Sequence, residues 1–342
     1  MKLSPDKIHK ILLINLAFIG DTILSTPVAR GLKEAYPQAQ IIMLTIPATA
    51  PVAEMNPYID KVICYDKKNT HKGFWGMIKM VQLLAREHFD LAVCMNFALR
   101  GALVAWLARI KYRAGYDVQQ AGWLLTHTTK PVRDGKTHET INHLQVLSAL
   151  EIEPTDTSVS FKLNQAAEAS LTAKVKISGD RPLVVICPYG SYARKSLSDD
   201  KYAEIIKRLN LVADVYLIGG ERERSQLLTI ADRAVLAAEK VLAGSLNLQE
   251  LAVFIKQARV LLSVDTGPMH MAQAVNTPVV ALFGPTDPAV WGPRGPRDII
   301  LFEKRGCSPC WGKGPCTRND CMENFSAAEI VENVLLLINE DK

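Results

Sequence analysis

Residues 259–274 read RVLLSVDTGPMHMAQA, and their reading decides the fold class. An apolar run of strand length, 259–264, stops at the polar turn Asp265-Thr266-Gly267, and 268–274 continues with helical periodicity. Pro268 suits the first helical position, where its missing N–H is not needed, so Gly267 is expected to cap the helix. A buried strand running through a tight turn into a helix is half of a βαβ unit.

The same alternation extends in both directions. Upstream, strands are predicted at 11–15, 40–45, 61–65, 90–95 and 112–115, with helices at 74–87 and 99–109 among them. In the second half strands are predicted at 183–187, 214–219, 240–243, 259–264, 278–283 and 298–302, separated by helices at 198–209, 221–237, 248–257 and 268–274. Strand signals thin out over 151–182, a linker. The expected architecture is α/β, with two Rossmann-like domains: 1–165, 166–325 and a closing helical segment, 326–342, that opens on a capping box of Ser326 and Glu329. A length of 342 residues agrees, being more than one core usually organises.

Composition excludes several classes. With 48% apolar and 22% charged residues, 18 Pro and 20 Gly, the chain is neither disordered nor a disulfide scaffold. The net charge of +5 lies wholly in residues 1–165, which hold 19 Lys+Arg against 14 Asp+Glu, whereas the remainder holds 21 of each. That is too mild for a nucleic-acid protein and suits a partner bearing a few phosphates or carboxylates, or an anionic membrane surface. Lys2, Lys7 and Lys10 ahead of an apolar run imitate a secretory leader, but Asn15 interrupts the run and no small-residue cleavage site follows. The run is read as a buried first strand and the protein as cytoplasmic. Seven cysteines, an odd number, agree with a reducing compartment; Cys64, Cys94 and Cys187 sit in apolar runs and are expected to be buried thiols.

Ligands of open parallel sheets bind beyond the carboxyl ends of the strands, so the residues following each strand are the candidates. After 259–264, the free N–H groups of the helix start, the Thr266 hydroxyl and His270 would face an anion such as phosphate. After 183–187, PYGSYARKSLS offers small Gly190 and Ser191 for close backbone approach and Lys195 for a phosphate. After 214–219, GGERE places Glu221 where a carboxylate could accept from a ribose diol. Asp21 follows the first strand at a helix start, as a dipole-complementing carboxylate or as a general base, and Pro27 is expected to kink that helix. Neither glycine turn fits G-x-G-x-x-G, which argues against a nicotinamide-dependent oxidoreductase.

Taken together, GDTILSTP (20–27), the Gly190-Ser191…Lys195 loop, GGERE (219–223) and SVDTGPMHMAQAVNTPVVALFGPTDP (263–288) resemble bacterial glycosyltransferase family 9, the ADP-heptose lipopolysaccharide heptosyltransferases. The resemblance implies a GT-B fold, two Rossmann-like domains facing across a cleft, with the final helix packing back on the first domain. It implies inverting transfer of heptose from an ADP-heptose donor to an acidic, lipid-linked saccharide of the inner core, with peripheral contact at the cytoplasmic face of the inner membrane. It gives Asp21 the role of general base, Ser191 and Lys195 phosphate contacts, Glu221 the ribose, Leu246 the adenine, and Asp265, Thr266, Gly267 and His270 the diphosphate turn. Arg100 and His138 fall where the acceptor would bind. Family members usually carry Trp-Pro after the lysine, whereas this chain has Ser196-Leu197. No cofactor is implied for the chemistry. The cluster Cys307-x2-Cys310-x5-Cys316-x4-Cys321 is compatible with a structural zinc, a disulfide or reduced thiols. The alternatives are a non-catalytic nucleotide-sugar binding protein and a family member using another nucleotide sugar.

Overall fold

A computed structural model describes residues 3–118, 121–177, 179–316 and 319–340. The chain divides into two compact units, Met1–Lys162 and Leu163–Lys342.

In the first unit the order is β1 (Lys10–Ile14), α1 (Ile19–Leu24), α2 (Thr26–Ala35), β2 (Gln40–Thr45), α3 (Ala50–Glu54), β3 (Lys61–Cys64), α4 (Gly73–Arg86), β4 (Leu91–Cys94), α5 (Leu99–Leu107), β5 (Tyr112–Tyr116), β6 (His127–Thr129) and α6 (Glu139–Leu144). The strands form one parallel sheet in the order β3-β2-β1-β4-β5-β6. Strand β1 shows why both faces must be covered: Ile11 and Leu13 enter one apolar cluster with Val28 and Leu32 of α2, while Leu12 and Ile14 enter another with Met80 and Leu84 of α4. The Pro27 kink is a full break, α1 ending and α2 beginning on either side of Ser25, with the proline in the first turn of α2. Lys2 lies outside the described residues; Lys10 opens β1 and pairs with Glu87.

The second unit contains α7 (Gln165–Lys174), β7 (Leu183–Cys187), α8 (Asp199–Leu209), β8 (Asp214–Leu217), α9 (Arg224–Arg233), α10 (Leu248–Gln257), β9 (Val260–Val264), α11 (Gly267–Ala274), β10 (Val279–Phe283), α12 (Pro288–Trp291), β11 (Ile299–Phe302), α13 (Asp320–Glu323) and α14 (Ala327–Asn339). Its parallel sheet runs β11-β10-β9-β7-β8.

Four expectations are corrected. Helix α14 was expected on the first unit, but its apolar stripe of Ile330, Val331, Val334 and Leu337 joins the second unit's core beside Ile205 and Leu209 of α8. A stripe at this spacing needs an apolar sheet or helix beneath it, and β9, β10 and α8 supply one. No strand forms at 240–243: a 3-10 turn at Ala238–Lys240 leads to a single bridge between Val241 and Leu217. Cys64 is exposed because β3 is the sheet's edge strand, while Cys94 and Cys187 are buried on inner strands. Thr266, extended at φ −158°, is the N-cap of α11, and Gly267 is its first residue. No helix among the described residues is long and apolar enough to cross a membrane.

Candidate functional site

Each sheet reverses its winding beside its first strand, since β1 lies between β2 and β4, and β7 between β8 and β9. The crevice at the carboxyl end of such a reversal is where a parallel sheet receives its ligand. Both crevices hold a polar cluster.

In the first unit the crevice is laced by two asparagines. Buried Asn15, just past β1, donates through Nδ2 to Ser25 Oγ (3.0 Å), and its Oδ1 accepts from Ala17 N (3.2 Å) and from Asn96 Nδ2 (3.3 Å). Asn96, past β4, accepts in turn from Leu16 N (2.6 Å). The turn leading into α1 is thereby tied to the neighbouring strand end, and α1 carries Asp21 in its first turn. Asp21 keeps 24% of its side chain exposed. Its Oδ1 lies 3.9 Å from Nε2 of His143, which lies 4.0 Å from Oε1 of Glu139; the three groups gather within 4.8 Å. Glu139 and His143, one helical turn apart on α6, are both buried. Arg133 pairs with Glu139 at 2.9 Å and stacks on Phe97, which packs on Tyr116 at the end of β5. Burial, then the Glu139 charge, push the Asp21 carboxyl up to about 6, against the N–H groups of Phe18 and Asp21 and the Arg133 charge. Burial, then Arg133 and His138, push His143 down to about 3, so its ring is neutral at pH 7. The site thus holds a partly exposed carboxyl group that changes charge close to neutrality.

His138 caps α6, its Nδ1 accepting from Thr140 N at 3.2 Å. Arg100 lies exposed in the first turn of α5, close enough to Lys67 for its charge to lower that lysine's pKa after burial has done so.

In the second unit Lys195 and Asp265 span the crevice between β7 and β9. The buried ammonium donates to Asp265 Oδ2 (2.7 Å) and to the Asp265 carbonyl (3.0 Å), and it sits over the Tyr192 ring. A Cβ on Gly190 would lie 3.0 Å from Lys195 Cδ and 3.3 Å from the Asp265 carbonyl, so the small residue at this turn makes room for the pair. Ser196-Leu197, in place of Trp-Pro, leaves the lysine well held, with Leu197 buried in the core. Ser191 is exposed on the same loop. Past Asp265, Thr266 makes no side-chain cap bond and Gly267 opens α11. His270 is buried; burial lowers its pKa, with Lys195 adding and Asp265 and Gln273 opposing.

At the end of β8 the two acids of GGERE separate by task. Glu223 accepts from Gly220 N (2.7 Å), closing its own turn. Glu221 is exposed and turned toward Gly244, whose φ of +70° and missing Cβ clear a place for the carboxylate: a Cβ there would lie 1.9 Å from Oε2. Leu246, half-buried, follows two residues later. Ser191, Lys195, Glu221, Asp265, Thr266, Gly267 and His270 therefore lie in the segments that follow the carboxyl ends of β7, β8 and β9 in one unit, and Leu246 lies between the Val241 bridge and α10.

The cysteine-rich segment serves this loop. Arg194 donates to the carbonyls of Gly312 (3.2 Å) and Gly314 (2.9 Å), Tyr192 packs on Gly312, and Ser308 Oγ donates to the Gly284 carbonyl. All four thiols are free: Cys307 and Cys316 exposed, Cys310 half-buried, Cys321 buried. Burial raises the Cys321 pKa, and Cys310, Cys316 and Cys307 stand close enough to add to the rise. Among the described residues the potential ligand atoms that do gather are those of Asp21, Glu139 and His143, where the Arg133 guanidinium already occupies the cationic place on Glu139 Oε1.

Glu139, His143, Arg133, Asn15 and Asn96 were not anticipated as site residues. The i, i+4 pair Glu139/His143 beside His138 was the available signal.

Comparison with known proteins follows the geometry. A family model described as glycosyltransferase family 9 (heptosyltransferase) matches residues 77–319. A lipopolysaccharide heptosyltransferase 3 of Escherichia coli K12 is 30% identical over 300 residues, covering 84% of this chain and 86% of that protein. Two solved structures share the fold. A family 9 glycosyltransferase of Veillonella parvula has TM-score 0.84 and 21% identity over 98% of this chain and 99% of that one. The E. coli ADP-heptose lipopolysaccharide heptosyltransferase II has TM-score 0.79 and 21% identity over 96% and 98%.

Proposed function

The chain belongs to glycosyltransferase family 9, the heptosyltransferases, and from that premise we propose that it moves heptose from ADP-heptose to the inner core of lipopolysaccharide, inverting the anomeric centre. The observation that carries the mechanism is Asp21, a carboxyl group raised to about 6 and fastened at the switch of the first sheet. Ionised at neutral pH, it takes the proton of an acceptor hydroxyl as that oxygen bonds to the anomeric carbon. The bond from that carbon to the β-phosphate oxygen breaks, and its electron pair leaves with ADP. A positioned base of this kind contributes roughly 10²- to 10⁴-fold.

Negative charge grows on the departing diphosphate, so fixed donors matter most there. An ammonium has three N–H donors. Asp265 accepts from two of those on Lys195, and the third is left to donate to a phosphate oxygen. Ser191, Thr266 and the start of α11 add neutral donors, with His270 beneath them; Glu221 accepts from the ribose diol, and Leu246 lies beside the adenine. Lys195, the α11 N-terminus and Asp21 supply the charge the reaction needs, and no step is assigned to a metal. The acceptor is lipid-linked and acidic, met by the basic first half, with Arg100 and His138 on its side; the protein works in the cytoplasm, in peripheral contact with the inner membrane.

Two measurements test this reading. Calorimetric titration should show ADP binding well ahead of UDP and GDP, and equal affinities would remove the donor assignment. The anomeric configuration of the product, read by NMR, should be inverted; retention would exclude a single displacement assisted by Asp21.

A further inference from the structure

We infer that Glu139 and His143 are positioning residues for Asp21: the pair holds the carboxylate in line for proton abstraction and supplies the fixed charge against which it works. The inference rests on Asp21 being the base and goes beyond it by assigning two residues that act through it.

The geometry is that of a buried support under a partly exposed group. Glu139 has 3% of its side chain exposed and is committed on both oxygens, Oε1 to Arg133 (2.9 Å) and Oε2 to Asn142 Nδ2 (3.0 Å). It cannot swing away from Asp21 without breaking both contacts. His143 Nε2 is buried and makes no hydrogen bond, yet it lies about equally far from Asp21 Oδ1 and Glu139 Oε1, at 3.9 and 4.0 Å. Each gap is roughly 1 Å longer than a hydrogen bond. A buried nitrogen without a partner is expensive to keep, and closing either gap satisfies it. With the neutral ring protonated on Nε2, a small rotation of Asp21 makes Oδ1 the acceptor and leaves Oδ2 facing the substrate.

The other groups near α1 are engaged elsewhere. On α2, Arg30 pairs with Asp156 and donates to Tyr58, Lys33 donates to the Ala39 carbonyl, and Glu34 accepts from Thr155. On α3, Glu54 acts on the Cys64 thiol. On and before α6 stand Glu139, His143, His138 and Arg133, of which Glu139 raises the Asp21 pKa and Arg133 lowers it. Protonation of Asp21 by the acceptor removes its repulsion with Glu139, so the pair favours the product side of the proton transfer. The proton stays on Asp21, and none passes to His143 or Glu139.

The test is the pH profile of kcat/KM for the full chain with ADP-heptose and a lipopolysaccharide-core acceptor. The wild-type acidic limb should have its midpoint near about 6. Glu139→Gln should move it down by about one unit, and Glu139→Asp should restore part of the shift. His143→Leu should lower kcat about tenfold or more with donor KM unchanged, and His143→Gln, which keeps an N–H donor, should recover part of it. Wild-type circular dichroism and a cooperative thermal unfolding transition on each variant confirm a folded protein. An unmoved midpoint in Glu139→Gln overturns the role of Glu139, and wild-type kcat in His143→Leu overturns that of His143. Asp21→Asn, run alongside, separates the two levels: if it stays active the base assignment itself fails, whereas an inactive Asp21→Asn with unaffected Glu139 and His143 variants defeats this inference alone.

Discussion

The raised pKa of Asp21 costs stability at neutral pH. A carboxyl group at 3.8 in the unfolded chain and about 6 when folded binds its proton more tightly in the native state, so it favours folding at low pH, and that contribution is lost as pH rises through about 6. The difference amounts to at most about 3 kcal/mol above pH 7. Asp21→Asn should therefore melt higher than the wild type at pH 8, with the advantage shrinking between about pH 6 and pH 4; a variant less stable at pH 8 would contradict the placement of Asp21. Lys195 presents the opposite case. Its removal strands the buried Asp265 carboxylate, and breaking a buried pair from one side costs about 3–5 kcal/mol. Lys195→Met should lose ADP binding and unfold at lower urea, whereas the double variant Lys195→Met/Asp265→Leu should regain stability without ADP binding. A double variant as unstable as the single would show that the pair is not what holds this loop.

At the scale of elements, the turn at Gly244 illustrates how backbone sets a side chain. An alanine there meets both a left-handed φ and the Glu221 carboxylate. Gly244→Ala should weaken ADP binding and erase any preference for ADP over its 2′,3′-dideoxy analogue; a preserved preference would free Glu221 from the ribose. The alternation of apolar runs and amphipathic stretches made most strands and the main helices legible, and two of the residues that follow strands in the second unit, Lys195 and Asp265, meet in the structure. What stayed hidden depended on tertiary partners. The amphipathic stripe of α14 announced a buried face without saying which core receives it. The three-residue strand β6 is too short for a periodic signal, and the run at 240–243 looked like a strand but has only one bridge. Glu139 and His143 were invisible as partners of Asp21 because more than a hundred residues separate them in sequence. Only the packing of α6 against α1 brings them together.

Across the whole molecule, charge and chemistry are divided. The first 165 residues carry the entire net charge of +5, while the remainder is neutral. Raising salt screens a distributed excess more than a buried pair, so acceptor turnover should weaken with ionic strength well before ADP affinity does; equal sensitivity would deny the basic half its task. In the neutral half the cysteine-rich segment acts as a buttress of the 192–194 loop. The central claim is that a carboxylate in the first unit drives a transfer whose nucleotide is held by the second. Asp21→Asn tests it most directly, with heptosyl transfer and ADP affinity measured on the same preparation. The account predicts unchanged ADP affinity and a rate reduced by roughly 10²- to 10⁴-fold; transfer at the wild-type rate would contradict it.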